Sequence, residues 1–155
     1  MRIEGERSVE VAAPPEAVWG LVADVRRMGE WSPHTVQAQW VDAAPGDGPA
    51  VGRRFRGTNR LPIVRQWTST ATVTECDPAR RFAFAVGQNP DDPNTLWSYD
   101  FEETSAGGTR VTERWHMLRE PGIVLLYYRL IDQRTRIARG VEETLRRLKA
   151  AAETF

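Results

Sequence analysis

The sequence predicts an α+β fold: a seven-stranded antiparallel sheet packed against one long C-terminal helix, with two short helices after the first strand. Three observations carry this expectation. Residues 35–119 read almost entirely as short strands punctuated by Pro, Gly, Asn and Asp. An apolar stripe at helical period runs through residues 121–152. The connections between consecutive strands are short, which implies a meander of antiparallel neighbours. Helices segregated from a run of strands define the α+β class, and a lone long helix must bury its stripe against the sheet. A curved sheet wrapped around one helix leaves a natural ligand cavity between them.

Each element has its own justification. Ser8 to Ala12 alternates, with Val9 and Val11 on one face, and reads as the first strand. Ala13-Pro14-Pro15-Glu16 ends it and opens a helix, because proline suits the first helical turn and an acid there meets the helix dipole favourably. Val18, Leu21, Val22 and Val25 form the apolar face of that helix. A second helical turn is expected around Arg26 to Glu30, ended by Pro33, and a strand follows over Thr35 to Asp42. The segment Ala43 to Pro49 is a loop by composition. Further strands are read at 51–60, 64–76, 80–86, 95–103 and 108–118. The last segment opens at Pro121-Gly122. Its stripe includes Ile123, Leu126, Tyr127, Leu130, Ile131, Ile137, Val141, Leu145 and Leu148, with Arg134 set into the middle of the apolar face.

Composition excludes several function classes. The 155 residues suit one domain, 1–155, large enough to bury a core and hold a pocket. Lys+Arg and Asp+Glu each number 21, so no global field recruits nucleic acid or an anionic membrane. A single cysteine, Cys76, precludes an internal disulfide and suits a reducing compartment. The charged start of the chain does not read as a secretory signal, and no apolar run approaches the ~20 residues of a membrane span. A soluble, cytoplasmic protein, monomer or homodimer, is the expectation.

Several segments together resemble the SRPBCC (START-like) superfamily, and within it the polyketide cyclase/dehydrase and lipid-transport family. They are Val9 to Trp19, Glu30-Trp31-Ser32-Pro33, Val51-Gly52-Arg53-Arg54-Phe55, Val73 to Phe82, and Gly108-Thr109-Arg110-Val111-Thr112-Glu113. The resemblance covers nearly the whole chain. It implies a helix-grip fold, in which a seven-stranded sheet grips the C-terminal helix over a hydrophobic cavity. Members range from cyclases and aromatases to passive carriers, and no invariant catalytic motif comes with the resemblance.

The residues themselves suggest what such a cavity would contain. Six tryptophans are many for this length. Trp67, Phe82, Phe84, Trp97, Tyr99, Phe101 and Trp115 fall on candidate strands, as core packing or as a wall for a flat or apolar ligand. The expected cavity lining comprises Trp31, Phe55, Trp67, Phe84, Trp97, Tyr99 and Trp115, with Tyr127 and Ile131 from the helix. Parity on the penultimate strand puts Glu113 on the same face as Val111, Trp115 and Met117. Its carboxylate, carried inward, needs a partner, and Arg134 is the obvious one. The alternative places Glu113 at a wet edge, with Arg134 reaching solvent along its stem. Asn59 reads as a further polar cavity group or a plain turn residue.

Other chemistries find little support. His34, Cys76 and His116 are too few and too scattered for a zinc site, and no cofactor is expected. Glu113, Arg134 and His34 are the candidate catalytic groups, His34 as a general acid or base near the cavity mouth or simply in a surface loop. The arginines at 53, 54, 56, 60 and 65 form a basic hairpin, read as solvated charge or a rim for an acidic head group. Three functions stay open: a carrier of an apolar or polyaromatic metabolite, lipid or polyketide; a cyclase or aromatase using the same cavity; and a protein-interaction module.

Overall fold

A computed structural model describes residues 3–41, 46–60, 66–118 and 133–154. Strand β1 is Ile3–Val11, followed by helix α1 (Pro15–Ala23), a 3₁₀ turn (Val25–Arg27) and the short helix α2 (Met28–Trp31). Strands β2 (Thr35–Trp40), β3 (Arg54–Asn59), β4 (Trp67–Asp77), β5 (Arg81–Gly87), β6 (Thr95–Glu103) and β7 (Thr109–Met117) follow, and helix α3 covers Gln133–Ala152. The sheet has seven strands in the order β1-β7-β6-β5-β4-β3-β2, with every neighbouring pair antiparallel. From β2 to β7 it is the expected meander. β1 then closes on β7, bringing the start of the chain beside its last strand.

The two faces separate as the alternation requires. Along β7, Thr109, Val111, Glu113 and Trp115 are buried, while Arg110 and Arg114 are exposed. On α3 the buried residues Ile137, Val141, Leu145, Leu148 and Ala152 form the stripe that meets this face, and α3 also packs on β1, α1 and α2. Val18, Val25, Phe82, Val111 and Leu148 are fully excluded from solvent and mark the centre of the core. At its start α1 has Pro15 in the first turn and Glu16 beside the N-terminal dipole, and it buries Val18, Leu21 and Val22.

β1 begins at Ile3, five residues before the expected start. Its charged stretch alternates too: Glu4 and Glu6 lie on the outer face, where they meet His116 Nδ1 at 3.2 Å and Arg114 Nε at 2.7 Å. Pairing with β7 supplies what intrinsic propensity does not. Residues 119–132, which include the first part of the expected helix, lie outside the described residues.

Gly5 shows how closely the inner face is packed. A Cβ there would stand 2.5 Å from Cζ2 of Trp115, its cross-strand partner. Gly5→Ala is expected to destabilise the fold by ~1–3 kcal/mol through displacement of that ring. Gly20→Ala, exposed in α1 with nothing within 4 Å of its Cβ, is expected to stabilise it by ~0.5–1 kcal/mol. Urea denaturation of both variants checks the pair of signs, and equal effects would contradict the packing described.

Candidate functional site

Register arranges the inner-face side chains in rows across the sheet. One row runs Gly5, Trp115, Trp97, Phe84, Val73, and the next runs Arg7, Glu113, Tyr99, Phe82, Cys76. A third contains Ile3, Met117, Thr95, Val86, Ala71, Phe55 and Trp40. The aromatic rings touch edge to face: Trp40 and Phe55 have centroids 5.6 Å apart, and Phe55 and Phe84 5.1 Å. Tyr99 stacks on Phe101 at 6.5 Å. These contacts link rings of β2, β3 and β5, with a separate pair on β6, and the cross-strand rows carry the apolar wall on to β7.

Glu113 is the polar exception in the wall. It is only 3% exposed, and the hydroxyl of Tyr99 donates a hydrogen bond of 2.8 Å to its Oε2. Its Oε1 is buried without a hydrogen-bond partner. Burial pushes the carboxyl up to about 8, and the Tyr99 hydrogen bond pulls the other way without offsetting it. Glu113 is therefore chiefly protonated at neutral pH. Burial and the neighbouring Glu113 together raise the Tyr99 phenol.

The expected Glu113–Arg134 ion pair does not form; Tyr99 holds the carboxyl instead, and Arg134 is exposed. Helical phase alone puts residue 134 on the buried stripe. The first buried side chain of α3 among the described residues is Ile137, one turn further on. How far along its axis a helix is covered is a tertiary matter that phase does not report. The Tyr99–Glu113 contact was within reach of sequence reasoning: the β6–β7 hairpin closes with Glu103 opposite Thr109, and counting back along both strands sets Tyr99 opposite Glu113.

The other expected site residues fall in three places. Trp31, Phe55, Phe84, Tyr99 and Trp115 are buried, Trp97 is half-buried, and all belong to or pack on the core. Trp31 lies on α2 rather than the sheet, with the Arg27 guanidinium 5.0 Å from its ring centre. Asn59 and Trp67 pair at the end of the β3–β4 ladder, away from Glu113. The Asn59 amide accepts from the Thr35 hydroxyl at 3.1 Å and donates to that of Ser69 at 2.8 Å, clasping three strands. Tyr127 and Ile131 lie outside the described residues.

His34 is half-buried, with its ring against α3: a Cβ on Gly140 would stand 2.7 Å from its Nε2. Burial and the nearby positive charge of Arg136 lower its pKa, against a main-chain hydrogen bond with Arg136. A groove of about 450 Å³ opens here between Pro33, His34 and the helix. Another, of about 490 Å³, lies among the outward-facing side chains of β1 and β4–β7. There an ion-pair chain links Glu6, Arg114, Asp100, Arg81 and Glu75 across the strands. These pairs are partly exposed, so each contributes little to stability.

The inner wall and the gripped helix can be set beside known proteins. The family described as polyketide cyclase/dehydrase and lipid transport matches residues 2–153. The chain belongs to this family. A polyketide-cyclase-like protein of Corynebacterium glutamicum is 30% identical, with 96% of this chain and 90% of that one covered and a TM-score of 0.64. A Mycobacterium smegmatis protein is 23% identical over 96% of this chain and 90% of its own, at a TM-score of 0.66. One further structure shares the fold at 16% identity and a TM-score of 0.71: the two-domain ARO/CYC protein of the steffimycin biosynthetic pathway. It covers 99% of this chain, which spans 51% of that protein. Comparison with curated proteins yields no match. Seven antiparallel strands around a C-terminal helix make this a helix-grip fold. No described helix is long and apolar enough to cross a membrane.

Proposed function

We propose that this protein binds a hydrophobic or aromatic small molecule, such as a lipid or polyketide, between the inner face of its sheet and the C-terminal helix. The observation that carries the reading is the wall itself: aromatic rings in adjoining cross-strand rows with one buried polar pair, Tyr99 and Glu113, the carboxyl Oε1 of which is unsatisfied. An apolar surface with a few convergent polar groups is the usual make-up of a small-molecule site. A buried carboxyl oxygen without a partner is costly whether or not it carries the proton, and a ligand hydroxyl or an ordered water would satisfy it. Membership in a family described by polyketide cyclisation and lipid transport supports the same reading.

Glu113 also favours a second reading, an enzyme of the cyclase type. A carboxyl with a pKa of about 8 exchanges its proton near neutrality, as a general acid or base requires. The wall would fold a reactive chain against that group, and proximity would supply much of the rate.

The test is a fluorescence titration of the purified protein with an environment-sensitive apolar dye and with a fatty acid, followed by mass spectrometry of co-purified compounds. Saturable binding at one site is expected, with quenching of the tryptophans of the wall. Linear, unsaturable uptake of every apolar probe would remove both readings. Glu113→Gln separates them: retained affinity with lost turnover marks an enzyme, and retained affinity without any turnover in the parent protein marks a carrier.

A further inference from the structure

The groove between the Pro33–His34 turn and the first turns of α3 carries a chemistry of its own. Two guanidinium groups, Arg136 and Arg139, line it three residues apart on the helix. Neither makes a salt bridge among the described residues, and Arg136 Nε is buried without a hydrogen-bond partner. Arginines elsewhere on α3 are matched: Arg146 Nε and Arg147 Nε donate to Glu143 at 2.9 and 2.8 Å. Glu143 also lines the groove, but those two arginines hold its carboxyl down to about 2. Its charge is thus already answered, and the two charges of the groove with no salt bridge among the described residues are positive.

The opposite wall is built to stay close to them. Pro33 restricts the turn, Ser32 Oγ accepts from the His34 and Thr35 amides at 3.2 and 3.0 Å, and the Arg60 amide donates to the His34 carbonyl at 2.8 Å. Glycine at 140 leaves room for the imidazole, and the Gly140 carbonyl is capped by the Thr144 hydroxyl at 2.8 Å. A polar ring is thereby held beside two guanidiniums that make no salt bridge among the described residues.

We propose that this groove is an oxyanion-binding site, taking a carboxylate or phosphate group on Arg136 and Arg139 with His34 as a hydrogen-bonding neighbour. Planar guanidiniums suit such groups because their N–H forks match paired oxygens. A bound anion would neutralise the charge that now disfavours protonation of His34. The site is independent of the inner wall and stands even if that wall binds nothing. Its oxyanion can be a free ion or the head group of an amphiphile.

Imidazole NMR distinguishes these sources, since the chain has two histidines and His116, on the outer face, serves as the control. The probes are inorganic phosphate, acetate, dodecanoate, dodecyl phosphate and neutral dodecanol, added at constant ionic strength. A saturable shift of the His34 signals, with its pKa raised and His116 unmoved, is expected for the anions. A response to phosphate or acetate identifies a free-ion site, and a response to the two amphiphilic anions alone identifies a head-group site. Arg139→Gln and Arg136→Gln are each expected to weaken binding about tenfold or more. Arg139 is exposed, so its variant tests the site even if Arg136→Gln fails to fold. The proposal is overturned by no saturable response to any anion, by an equal response to dodecanol, or by unchanged affinity in Arg139→Gln.

Discussion

Replacing Glu113 by glutamine is expected to leave stability almost unchanged at pH 5 and to raise it at pH 9. The carboxyl has a pKa of about 8 in the fold against 4.5 when unperturbed, because burial disfavours its charged form. Between those values the folded state keeps a proton that the unfolded state releases. Stability of the parent protein therefore falls as pH rises through this window, and the loss is complete above the folded pKa. The span corresponds to on the order of 5 kcal/mol, less where water reaches the carboxyl. Glutamine cannot ionise, so its variant lacks this slope while its amide oxygen still accepts from Tyr99. Tyr99→Phe removes the hydrogen bond that lowers the folded pKa, so the fall should start at the same pH and continue to higher pH. Urea unfolding across pH 5 to 9 reads both effects. Parallel stability curves for parent and Glu113→Gln would show that the carboxyl is solvated.

The largest loss expected from a single apolar truncation is at Phe82. This residue is 0% exposed, lies on β5 in mid-sheet, and its ring centre is 5.8 Å from that of Phe84. Phe82→Ala should cost ~3–5 kcal/mol, the transfer of the ring plus the cavity left behind. Leu148→Ala, equally buried on the helix side, should cost ~2–5 kcal/mol. Val51, 64% exposed, is the control, and Val51→Ala should stay within ~0.5 kcal/mol. Chemical denaturation gives the midpoints at an unchanged m-value. A Phe82→Ala variant as stable as the Val51 variant would contradict the core described here.

The sequence by itself determined which segments are strands, which face of each is apolar, and that a helix closes the chain. These follow from periodicity and turn residues, which act over a few neighbours. Strands β4, β5, β6 and β7 accordingly lie within three residues of their expected bounds. Parity on the penultimate strand likewise put Glu113 on the face of Trp115, and both are buried. Only the tertiary structure decided the partners. β1 extends back to Ile3 because β7 pairs with it, although its own charged residues argue against a strand. Glu113 meets Tyr99 because hairpin register aligns them, whereas Arg134 is exposed a turn before Ile137, the first buried side chain among the described residues of α3. His34 reaches Arg136 and Gly140 across a hundred residues of chain through the packing of α2 and α3. Periodicity describes an element's angle around its own axis. Register, and how far one element is covered by another, are set by distant segments, which is why they appear only when the chain is folded.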